Sequence, residues 1–223
     1  MHATGSGDAA RGVGASLAHR LSELRQEGVG IPSDADARLA RYLDLLAKWN
    51  RTFNLTAVRD PERMVIQHVV DSLAVLPSLP LPQGGRLLDV GSGAGLPGIP
   101  LAVARPDAAV TVLDSSSKKT AFLEQARMEL ALGNLEVACA RIESFRPEHR
   151  YDVVISRAFA ELGEFVRLAQ PLLVPGGRIA AMKGVVPHEE LAQLPPGFVA
   201  EVEPIRVPGL AAERCLVLVR VAE

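Results

Sequence analysis

Apolar positions recur at helical spacing over the first third of the chain and then change to short continuous runs. Leu17, Leu21 and Leu24 mark one helical face over 15–26, which Gly28 and Gly30 end. Leu39, Leu43, Leu46 and Asn50, flanked by Leu45 and Trp49, mark a second face over 34–50. Ser33 and Asp36 before it have the spacing of a capping box, with Asp in the usual Glu position. Asp60-Pro61 supplies an N-cap and a first-turn proline for a third helix over 61–76, closed by Pro77.

Beyond the proline-rich link 77–85, apolar runs of strand length alternate with helical patterns. Strands are expected at 86–90, 110–114, 135–139, 151–156 and 178–182. Helices are expected at 98–104, 117–132 and 161–173, the second ended by Gly133-Asn134 and the third by Pro175-Gly176-Gly177. Two last strands, about 198–205 and 214–221, are close enough in sequence to pair antiparallel. Strands alternating with helices imply an α/β fold with a mostly parallel sheet and right-handed crossovers. The reading divides the chain into a disordered tail 1–14, an N-terminal helical addition 15–84 and a sheet domain 85–223.

Leu87-Leu88-Asp89-Val90 runs into Gly91, Gly93, Gly95 and Gly98, four glycines within eight residues. Strand, glycine-rich turn and helix form the geometry that brings backbone close to a nucleotide-like ligand. The pattern G-x-G-x-x-G at Gly93, Gly95 and Gly98 would by itself suggest a dinucleotide. Asp89, two residues before the first glycine, argues otherwise, because a carboxylate pointing into that crevice repels a pyrophosphate. It suits a cationic, amine-bearing ligand without phosphate, as S-adenosylmethionine is. Asp114 ends the second strand, where a carboxylate can take both hydroxyls of a ribose. Ile142 and Glu143 follow the third strand and could cover an adenine and read its edge. Arg157 leaves the fourth strand, and an arginine there is costly unless paired. Phe159 reads either as a base-stacking ring or as core, and Lys118 and Lys119 as a solvated face or as ligand contacts. His68 and Asp71 share a helix face and read equally as a substrate-side pair or as structural hydrogen bonds.

Composition narrows this further. Net charge is -2 from 24 basic and 26 acidic side chains, so a nucleic acid would be met by a local patch rather than by the whole surface. Cys139 and Cys215 lack paired spacing and read as core residues of a reducing compartment, with no disulfide and no metal site. No apolar run is long enough for a membrane span, and the first residues lack the apolar centre of a signal peptide.

Several motifs stand in family order: Lys48-Trp49-Asn50 with Asn54-Leu55-Thr56, His68 with Asp71-Ser72-Leu73, and the loop tail Leu96-Pro97-Gly98-Ile99-Pro100. Ser156-Arg157-Ala158, Met182-Lys183-Gly184, Pro208-Gly209-Leu210 and Glu213-Arg214 continue the series. Together, over about 37–219, they resemble the bacterial 16S ribosomal RNA guanine-N(7) methyltransferases, also called glucose-inhibited division protein B. The resemblance implies a Rossmann-like class I methyltransferase fold with a seven-stranded sheet, S-adenosylmethionine as cofactor, and cytoplasmic location. It implies methylation of one guanine of 16S rRNA, the RNA being met in a small ribosomal subunit or its precursor. By position it puts cofactor contacts at Gly91, Leu96, Asp114, Ile142, Glu143 and Arg157, to which the loop reading adds Asp89, Gly93 and Gly95. Arg157 and Lys183 are candidates for positioning, and no catalytic base is expected, because ring nitrogen 7 of guanine carries a lone pair and no proton. A nicotinamide-dependent oxidoreductase and a non-catalytic RNA-binding protein on the same fold are the alternatives.

Overall fold

The computed structural model describes residues 5–157, 159 and 161–222. Three helical stretches come first: α1 (Gly5–Gln26), α2 (Ala35–Phe53) and a composite helix of α3 (Pro61–Met64), a π-helical segment (Val65–Val70) and α4 (Asp71–Leu73). The sheet strands are β1 (Arg86–Val90), β2 (Ala109–Asp114), β3 (Leu135–Cys139), β4 (Tyr151–Ser156), β5 (Leu173–Lys183), β6 (Phe198–Pro204) and β7 (Cys215–Val221). Helices α5 (Gly98–Ala104), α6 (Ser117–Glu129), α7 (Leu162–Ala169) and α8 (His188–Ala192) connect them. The seven strands lie in the order β3-β2-β1-β4-β5-β7-β6, with β7 antiparallel to both its neighbours and the other pairs parallel. The expected mostly parallel sheet with its antiparallel hairpin is the one observed.

Neighbouring residues on the central strands face opposite cores, which is why these strands read as continuous apolar runs. Leu87 packs with α1, α2, α5 and α6 on one face, whereas Leu88 packs with α7 on the other. The N-terminal helices share the first of these cores: Leu17, Leu21, Leu39 and Leu46 are in it with Val110, Val153 and Leu216. Among the described residues no helix is long and apolar enough to cross a membrane.

Several local expectations are corrected. Helix α1 begins at Gly5, so residues 5–14 are helical where a tail was expected, and 1–4 lie outside the described residues. Val13 continues the face of Leu17 and Leu21 and packs on the same core, which extends the helix. The capping box at Ser33 does not form. Asp34 is the N-cap without a side-chain bond, and Asp36 is an ion-pair partner of Arg25 instead. The Asp60 cap does form, its carboxylate accepting from the Arg63 N–H at 2.8 Å. Helix α6 ends early because Ala131, at φ 51°, takes the left-handed position expected of Gly133. The stretch expected as helix through 173 turns 3₁₀ at Gln170, and β5 already starts at Leu173. Cys139 is exposed rather than core, since it ends β3 at the open edge of the sheet, whereas Cys215 is buried as expected.

Candidate active site

The strand order reverses between β1 and β4, and ligands on such sheets sit at the carboxyl ends of the strands beside that reversal. The Ser156 hydroxyl at the end of β4 donates to the Val90 carbonyl at the end of β1 (2.8 Å), closing the base of the crevice. The glycine loop rises directly from this point.

The loop's N–H groups turn inward. Those of Gly91 and Ser92 both donate to the Leu113 carbonyl of β2, at 2.8 and 3.0 Å, and that of Gly93 donates to Asp114 Oδ2 at 2.9 Å. Donors spent in this way make no cradle for a phosphate. Gly93 has φ 58°, a conformation that favours glycine, and a Cβ there would meet only the Gly91 carbonyl oxygen, at 3.8 Å. Gly98 serves packing: a Cβ on it would lie 2.4 Å from Val112 Cγ1 and 2.8 Å from Asp89 Oδ2. Gly95 and Leu96 are buried beneath the loop, the Leu96 side chain in the core.

Asp89 does not point into the open crevice as expected. Its side chain is wholly buried, and Oδ2 accepts from the Gly98 N–H at 2.9 Å, tying the strand end to the start of α5. Oδ1 is buried without a hydrogen-bond partner, and the nearby Ser92 hydroxyl donates to the Asp89 carbonyl. Burial raises the carboxyl from 3.8 to about 6, against the opposing pull of the Gly98 N–H and the Arg157 charge. Between these pH values the folded chain holds a proton that the unfolded chain has released. Stability therefore falls as pH rises through that window, and the deficit persists above it. In Asp89→Asn the titration is gone while an oxygen remains for Gly98. Its stability relative to wild type should rise by on the order of 2–3 kcal/mol between pH 4 and pH 8, at 1.36 kcal/mol per tenfold change in proton affinity. Urea unfolding at the two pH values measures this, and a pH-independent difference would contradict the assignment.

Tyr42 of α2 holds the loop from the other side. Its buried hydroxyl donates to the Ala94 carbonyl at 2.7 Å, across 52 residues of chain, and burial pushes its pKa up, so it remains a neutral donor. Tyr42→Phe leaves that carbonyl unpaired and should cost about 1–2 kcal/mol. We expect a lower unfolding midpoint together with a several-fold weaker affinity for a ligand of the loop, read by calorimetry.

The strand ends bring the other candidates together. The Asp114 carboxylate is nearly buried: Oδ1 accepts from the Ser116 N–H at 2.9 Å, and Oδ2 meets Gly93 and, at 3.3 Å, Lys119 Nζ. Lys119, 41% exposed, is thus partly solvated and reaches the candidate site through this one ion pair. Ile142 and Glu143 form the 3₁₀ turn after β3, Ile142 buried and Glu143 exposed. Arg157 leans away from the loop toward the composite helix, donating to the Gln67 carbonyl at 2.9 Å and lying 3.5 Å from Asp71 Oδ2. Arg214, just before β7, donates through Nε to Asp71 Oδ1 at 2.9 Å. Lys183 is held by Glu190 of α8, 3.0 and 2.8 Å from its two oxygens. Phe159, half-buried, stacks on Phe165, centroids 4.9 Å apart, as the core reading expects; Ala158 and Ala160 lie outside the described residues.

A family model described as GidB, rRNA small subunit methyltransferase G, matches residues 35–217, from the start of α2 into β7. The chain belongs to this rRNA small subunit methyltransferase G family. Ribosomal RNA small subunit methyltransferase G of Laribacter hongkongensis is 54% identical over 195 residues, covering 87% of this chain and 93% of the relative. That of Chromobacterium violaceum is 56% identical over 180 residues, covering 80% and 85%. Among solved structures, a SAM-dependent methyltransferase from Aquifex aeolicus gives a TM-score of 0.58 at 19% identity, covering 75% of this chain and 97% of that one. The O-methyltransferase TomG from Streptomyces achromogenes, in complex with SAM, gives 0.54 at 20% identity, covering 82% and 90%. These likenesses establish the Rossmann-like methyltransferase fold.

In this member of the rRNA small subunit methyltransferase G family, two site-forming residues escaped sequence reasoning. Tyr42 lies on the apolar stripe of α2 and looks like core until Ala94 is placed opposite its hydroxyl. Glu190 lies on α8, a helix of five residues with no apolar period to announce it.

Proposed function

We propose that the protein transfers the methyl group of S-adenosylmethionine to ring nitrogen 7 of a guanine in 16S rRNA, in a small ribosomal subunit or its precursor in the cytoplasm. The observation that carries the donor half is the inward turn of the loop amides beside two buried acids. A pyrophosphate meets amides of Gly91, Ser92 and Gly93 that are already spent and the carboxylate of Asp114, whereas a ribose finds in that carboxylate an acceptor. The unpartnered Oδ1 of Asp89 fits this reading, since a cation bound above the loop compensates a buried carboxylate. Asp114 would hold the ribose, the Gly91 to Gly93 backbone the amino-acid end, and Ile142 with Glu143 the adenine. Bound in this way, S-adenosylmethionine supplies a methyl group made electrophilic by its sulfonium.

The acceptor half needs little chemistry from side chains. The lone pair of guanine N7 lies in the ring plane and bears no proton, so no group has to remove one. The chain's work is alignment, holding the lone pair in line with the methyl–sulfur bond at near-attack distance. Arg157 and Lys183, both engaged by carboxylates, act by position. The test is to incubate the purified protein and donor with 16S rRNA from a strain lacking the enzyme, then map methylation by mass spectrometry. One new 7-methylguanosine is expected. No new methylation, or a methyl on another atom, contradicts the proposal.

A further inference from the structure

The composite helix and the chain leaving β4 and β5 line an open cavity of about 390 Å³. Thr56, His68, Asp71, Arg157, Lys183 and Arg214 are on its wall. The cations there are not free: Arg157 and Arg214 share Asp71, and Lys183 is held by Glu190. His68 adds no charge, because burial, reinforced by the Arg157 guanidinium, lowers its pKa from 6.5 to about 4. Its Nε2 lies 2.9 Å from Thr56 Oγ1, while Nδ1 is buried without a hydrogen-bond partner. A buried nitrogen in that state is unfavourable until a partner reaches it. His68 also sits in the π-helical segment, a rare conformation that is frequent at functional sites.

We infer that this cavity receives the base to be methylated and that His68 positions it through Nδ1. The inference rests on the methyl transfer to rRNA proposed above. A phosphate carries acceptors only and would need free cations. A base edge offers donors and acceptors side by side on a flat ring, so it can satisfy Nδ1 in either tautomer. The place is also right, since Arg157 at the cavity follows directly on Ser156, whose hydroxyl ties β4 to the strand beneath the loop.

Two variants separate this role from a structural one. In His68→Gln the amide reaches the position of Nε2 and can keep the Thr56 bond, whereas in His68→Asn it reaches that of Nδ1. We expect His68→Gln to bind S-adenosylhomocysteine within about twofold of wild type while its kcat/KM on 16S rRNA falls at least tenfold. His68→Asn should recover part of that loss. Gly184→Leu provides a check that does not disturb the helix: it lies on the cavity wall, and a Cβ there meets only Arg214 Nη1, at 3.9 Å. It should block methylation and leave cofactor binding intact. The inference is overturned if His68→Gln or Gly184→Leu methylates within twofold of wild type, or if each loses cofactor binding in step with activity. Failure of the underlying reading would show separately, as a wild-type protein that does not methylate 16S rRNA.

Discussion

Asp114→Ala should weaken S-adenosylhomocysteine binding by a factor of about 100 to 1,000, and rRNA methylation at limiting cofactor should fall with it. Two hydroxyls on one carboxylate form charge-assisted hydrogen bonds, each contributing about 1.5–3 kcal/mol, and a total near 3–4 kcal/mol corresponds to that factor. The structure adds a second loss. Both oxygens already accept backbone N–H groups, from Ser116 and Gly93, so removing them loosens the loop that shapes the site. For the same reason Asp114→Asn is no mild substitute, because its NH₂ would have to face one of those N–H donors. We expect Asn to lie within about tenfold of Ala in calorimetric titration. An Ala variant binding within threefold of wild type would sink the assignment of Asp114.

Asp71→Ala should cost about 3–5 kcal/mol of folding stability. Asp71 is only 2% exposed and joins three parts of the fold: its own helix, Arg157 after β4 and Arg214 before β7. Without it, two partly buried guanidinium groups face one another across the vacated position, and a buried charge deprived of its partner is far costlier than the pair was favourable. About a quarter of each arginine side chain is exposed, 28% and 25%, so water relieves part of the strain and the lower end of the range is expected. Urea unfolding should show a lower midpoint with an unchanged slope. A loss under 1 kcal/mol would mean that the two arginines are solvated already. In Asp71→Asn one oxygen survives, and about half the loss should return.

The sequence by itself determined the architecture and the strand ends at which the candidate residues gather. Continuous apolar runs at 86–90 and 151–156 and the helical spacing of Leu39, Leu43 and Leu46 are local signals, because a strand or helix imposes its period on adjacent residues. Glycines and acids at strand ends were legible for the same reason: Asp89 and Asp114 occupy positions defined by their own strands. What those side chains meet was decided only by the tertiary structure. Asp89 was expected to face the ligand and instead turns to Gly98 beneath the loop. The partners of Asp71 stand 86 and 143 residues away in sequence, and Ala94 stands 52 from Tyr42, separations over which no periodicity operates. Cys139 is exposed because sheet order put β3 at an edge, which its own apolar neighbours could not indicate. Periodicity records which face of an element is buried; the partner on that face depends on how distant elements close on one another.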